Sequence, residues 1–140
     1  MTSNAFALAA SVILLFPMAY FLLTSPTFLL VKLEVPEVAR LLRGHFHGSF
    51  LMMSIAGALA TVGFAAAGRP VFALGIGFLA AFWVFARRWF LRRIDGELSA
   101  RDAGDADAVR RLRRLHWGGM LSNAIQLAAI VVSVPYVTST

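Results

Sequence analysis

Apolar positions along the chain gather into four long runs, and the charged residues fall between them. The runs cover about 5–31, 44–67, 71–91 and 115–136. A helix needs about 20 predominantly apolar residues to cross a bilayer, so each run is long enough to span one. The first has no charge before Lys32 and contains Pro17 and Pro26, which predicts a kinked helix. It lacks the positive flank of a secretory signal and is too long for one, so it is expected to persist as helix 1. The third is apolar from Val71 to Phe85 and continues past the membrane surface.

The connections refine this pattern. Residues 36–43, PEVARLLR, predict a short interfacial helix with Pro36 in its first turn. Residues 67–70, AGRP, are a tight turn, which makes helices 2 and 3 antiparallel neighbours. The polar stretch 86–117 predicts that helix 3 runs on to about Ala100. A turn at RDAGD follows, and Asp105 caps an early start of helix 4. Glu97 with Arg101, and Asp107 with Arg111, stand at helix-pairing spacing. The fold class expected is therefore all-α. It is an integral membrane, antiparallel four-helix bundle, one domain over 1–140, with a cytoplasmic helical hairpin between helices 3 and 4.

Composition agrees with the pattern. The chain is 59% hydrophobic and only 14% charged, where soluble domains carry about 25% charge. Mean hydropathy is +0.76. There is no cysteine, which removes disulfides and thiolate metal sites. The net charge of +6 comes from arginines that flank apolar runs, which points to anionic headgroups and topology rather than to nucleic acid. Of the 13 Lys and Arg residues, all but Arg69 fall in the 1–2 and 3–4 links. The positive-inside rule makes that side cytoplasmic and both termini non-cytoplasmic, in a bacterial inner membrane. Arg87, Arg88, Arg92, Arg93, Arg110, Arg111, Arg113 and Arg114 are expected to touch anionic lipid or a partner.

Candidate chemistry is sparse. No phosphate loop, Ser/His/Asp set, HExxH or pair of carboxylates occurs in the spans. His45 and His47 are two residues apart, so on a helix they point about 200° apart. His47, Ser54 and Thr61 form a seven-residue stripe, and His116 is seven residues from Asn123. That spacing predicts one inward site of His47, His116 and Asn123, with His45 nearer the headgroups. Gln126 lies deeper and partly rotated away. Gly44, Gly48, Gly118 and Gly119 are expected to let helices approach closely.

Two motifs, HFHGS at 45–49 and HWGGMLSN at 116–123, resemble those of the transmembrane protein 205-like family of small four-helix membrane proteins. The first is similar to its aromatic-Phe-His-x-Ser opening of helix 2. The second is similar to its histidine followed seven positions on by asparagine. The resemblance implies the four-helix topology and draws attention to His47, His116 and Asn123; it implies no activity.

The sequence is best read as an accessory or interaction subunit of a larger membrane assembly, with a membrane-protein partner or a homo-oligomer expected. Its inward polar groups then fix helix packing and hold no cofactor. The alternatives are a redox protein holding haem or a metal on its histidines, and a small transporter or channel.

Overall fold

Proline and glycine place the breaks between helices. The computed structural model describes residues 2–139. Helix α1 spans Ser3–Thr24 and continues as a 3-10 segment, Ser25–Leu29. Helices α2, α3 and α4 span Pro36–Ala66, Pro70–Asp102 and Ala108–Thr138. All four, α1 taken with its 3-10 segment, are long and apolar enough to cross a membrane.

Thr2 caps α1 by accepting from the Ala5 N–H. Pro17 lies within α1, and Pro26 opens the 3-10 segment. A proline ring clashes with the carbonyl four residues back and offers no N–H, so the α-helical ladder changes there. Pro36 and Pro70 each occupy a first helical turn, where a missing N–H costs nothing. The α2–α3 and α3–α4 turns share one device. Gly68 and Gly104 sit at φ +70° and +92°. Each follows a C-cap, and the next residue's N–H reaches back to Phe64 O or Ala100 O. This left-handed exit satisfies carbonyls that a helix end leaves open.

The helices form a ring: α1 packs on α2 and α4, and α3 packs on the same two. Leu14, Met18, Phe21, Phe46, Met53, Trp83, Ile94 and Leu112 fill the interior. The outside is no less apolar: Phe16, Leu23, Phe78, Phe85, Leu121 and Val132 all stand exposed. Water penalises such a surface and hydrocarbon does not, so the fold is that of a small membrane protein. The 33 residues of α3 extend about 50 Å, well beyond a hydrocarbon core of about 30 Å.

Several local expectations are corrected. Residues 36–43 are not a separate interfacial helix; they are the first turns of an unbroken α2. Asp107, not Asp105, occupies the N-cap position of α4, and its side chain makes no capping bond. Asp105 instead accepts from the Asp107 N–H. The pairs Glu97–Arg101 and Asp107–Arg111 do not form. Arg111 reaches across the turn to Glu97 at 2.8 Å and to Asp105 at 2.6 Å. Arg101 pairs with Asp102, and Arg110 with Asp107.

The glycines are corrected as well. A Cβ on Gly44, Gly48 or Gly118 would meet nothing within 4 Å, so these three are not packing glycines. Gly119 is one, since a Cβ there would lie 2.6 Å from Phe46 Cε1. Gly57 against Ala80 and Trp83, and Gly63 against Ala10, are the close approaches that spacing alone did not single out.

Candidate functional site

Ser25 stands where α1 changes to the 3-10 segment, and it is fully buried. Its two oxygens engage two histidines from two other helices. Its hydroxyl shares a 2.8 Å hydrogen bond with His45 Nε2 on α2. Its carbonyl accepts from His116 Nε2 on α4 at 2.9 Å. One residue thus joins three helices.

An aromatic cage encloses the junction. Phe21 stacks on His45 with ring centroids 5.0 Å apart and planes within 4°. Phe28 lies 5.3 Å from His45 and 5.9 Å from His116. Phe46 meets both imidazoles edge-on. Rings at these separations contribute about 0.5–1.5 kcal/mol per pair beyond their buried area.

The histidine assignment is therefore reversed from the sequence expectation. His45, not His47, shares the interior with His116. His47 turns toward α3, where Arg87 Nη2 donates to its Nδ1 at 2.9 Å. The physical reason is the 3-10 segment. It carries Phe28 and the Ser25 hydroxyl to the α2 face that holds His45. The stripe below His47 carries no interior demand either, because Ser54 and Thr61 donate to their own helix, at Phe50 O and Gly57 O.

Asn123 is buried as expected and shares the α1-facing side of α4 with His116. Its Nδ2 donates to Met18 O at 3.0 Å. His47, His116 and Asn123 do not make one site; His116 and Asn123 are two separate attachments of α4 to α1. Gln126 ties α4 to α3: its Oε1 accepts from Trp83 Nε1 at 2.7 Å, and its Nε2 donates to Ser122.

Among the described residues three buried side-chain polar atoms have no partner: Arg87 Nε, His116 Nδ1 and Asn123 Oδ1. Each is the second end of a side chain whose first end bridges two helices.

For a metal or haem the donor set is thin. Both Nε2 atoms of the paired histidines are engaged by Ser25. Among the described residues no group of three His, Cys, Asp or Glu is placed to hold a metal ion.

The arginines divide into two groups. Arg43, absent from the sequence candidates, bridges α2 to α3 through both oxygens of Asp95. Arg101 and Arg113 donate to the carbonyls of Leu33 and Val31, clamping the link that precedes α2. Arg87 and Arg111 are engaged as described, and Arg110 pairs only at the surface. Arg88, Arg92, Arg93 and Arg114 are exposed, with Arg93 placed 5.3 Å over the Trp89 ring.

Sequence reasoning missed the central role of Ser25. The available signal was a serine directly before a proline inside an apolar run, where a broken ladder turns polar groups sideways. No family model, curated protein or solved structure matches the chain.

Proposed function

We propose that this small membrane protein is a non-catalytic accessory or interaction subunit of a larger membrane assembly. The observation that carries this reading is how its interior polar groups are used. Ser25, His45, His116, Asn123, Gln126 and Trp83 each bond between helices and fix their register. Such bonds are worth about 0.6 kcal/mol each on average in a membrane, and together they specify one packing. A rigid bundle with an apolar outside offers surface to a neighbour.

In this reading the arginine-rich ends of α3 and α4 project on the cytoplasmic side as a helical hairpin. The termini face the other side, as the arginine asymmetry directs. The membrane is a bacterial inner membrane, and its anionic headgroups meet the exposed arginines. The likeness to the transmembrane protein 205-like family belongs to the same proposal. Its histidine and asparagine correspond to His116 and Asn123, the two residues that hang α4 on α1.

Affinity capture from native membranes in mild detergent tests the reading. The expected result is a second membrane protein recovered in fixed stoichiometry. Recovery of this chain alone, or only as its own oligomer, would overturn it. So would a Soret band in the purified protein that disappears in His116→Ala.

A further inference from the structure

We propose that one anionic phospholipid binds in a groove beside α4, its phosphate among arginines and an acyl chain over Gly118. The proposal deepens the reading above and rests on the bundle lying in a bilayer with its arginine end at a headgroup layer.

Two hollows carry it. The first, about 450 Å³, lies between α3 and α4 at the arginine-rich end. Its floor is Trp89, Phe90 and Leu115, and its rim is Arg93, Arg111 and Arg114. Glu97 also lines it, with its carboxylate taken by Arg111 Nε. Arg111 is committed to Glu97 and to Asp105, which leaves Arg93 and Arg114 for a ligand. Among the described residues neither Arg93 nor Arg114 has a carboxylate within ion-pair distance. An anion is the complement of that rim. Guanidinium groups match phosphate oxygens in geometry as well as charge.

The second hollow, about 430 Å³, is apolar and reaches toward α1, with Leu22, Trp117 and Leu121 in its wall. Gly118 belongs to both hollows, and no heavy atom stands within 4 Å of where its Cβ would be. The missing side chain leaves the cationic hollow open to the apolar one. A ligand that fits both must be charged at one end and long and apolar at the other. A soluble phosphate uses only the first half, and a zwitterionic lipid gains less from a cationic rim.

Tryptophan supplies the readout. Trp89 floors the first hollow, Trp117 walls the second, and Trp83 is buried at 1% exposure. The full chain is reconstituted in phosphatidylcholine vesicles containing a small fraction of phosphatidylglycerol with brominated acyl chains. Phosphatidylglycerol is expected to quench Trp117 at a membrane fraction about tenfold lower than brominated phosphatidylcholine requires. Trp89→Phe and Trp117→Phe variants assign the signal. Arg93→Ala with Arg114→Ala should remove the preference between the two lipids. Gly118→Leu should remove it at Trp117 while the arginines stay in place. Gly118 faces open space, so this variant keeps the fold, and the unchanged emission of Trp83 reports that. Equal quenching by both lipids overturns the site, as does a preference that survives either variant. Displacement of the brominated lipid by excess glycerol phosphate would assign the rim to a soluble anion instead and overturn it too. A chain that fails to float with vesicles would remove the membrane reading itself. A chain that floats yet shows no preference removes only the groove.

Discussion

The aromatic cage around Ser25 and the arginine end of α3 and α4 hold most of the protein's polar chemistry, and they use it in opposite ways. In the cage Ser25, Phe21, Phe46 and His116 are buried, and bonds join residues up to 91 positions apart. At the arginine end the ion pairs are partly exposed, and one side chain serves several partners: Arg111 alone holds both Glu97 and Asp105. Burial makes the first set specific, because an unmade bond there has no water to replace it. Exposure makes the second set individually weak. One region defines the packing, and the other is available to the surroundings.

The adjacent pair Gly118 and Gly119 gives the largest expected contrast. Gly119 lies against Phe46 in the cage, and Gly118 faces open space. Gly119→Val should destabilise the bundle by about 1–3 kcal/mol through overpacking. Gly118→Ala should stay within about 0.5 kcal/mol of the parent. Unfolding midpoints in mild detergent measure both, and equal losses would erase the distinction between inner and outer faces.

The histidines give the next contrast. His116→Ala leaves the Ser25 carbonyl without its partner in a buried setting and should cost about 1–3 kcal/mol. His47→Ala removes a half-buried contact with Arg87 and should cost about 0.6 kcal/mol. The same midpoints rank them, and a larger loss at His47 would restore the stripe of His47, Ser54 and Thr61 as the inner face.

The smallest effect concerns the 103–107 turn. A hydrogen bond from Arg111, then one from the Asp107 N–H, hold the Asp105 carboxyl below its ordinary value of 3.8. Its folded value is lower than its unfolded one, so its contribution is complete above about 4. It fades as pH falls through the folded value. Protection of the Asp107 amide against hydrogen exchange, corrected for intrinsic rate, should stay flat from neutral pH to about 4. It should decline below that. Asp105→Asn should remove the decline.

The helices themselves were legible, because unbroken apolar runs of this length have few other structures open to them. Register was not. A seven-residue stripe identifies a helix face but not which neighbour that face meets, and Ser54 and Thr61 satisfy themselves on their own carbonyls. Asn123 was legible as buried because an amide deep in an apolar run needs a partner, and His116, at the start of that run, shares its helix face. That their partners are backbone carbonyls of α1 depends on the three-dimensional path. The expected close approach at Gly44 and Gly48 failed for a similar reason: small residues matter only where another helix comes close. The ion pairs shifted because the turn at Gly104 brings Glu97 nearer to Arg111 than local spacing suggests.

The long-range bonds of α1 also set an order of events during synthesis. Asn123 reaches Met18 across 105 residues, and His116 reaches Ser25 across 91. Helix α1 therefore leaves the ribosome before α4, the helix that supplies these bonds. Until α4 arrives, α1 can lie against α2 without the side-chain bonds that Asn123 and His116 bring to it. The ring closes between α4 and α1, so a truncated product lacking α4 would leave α1 unfinished.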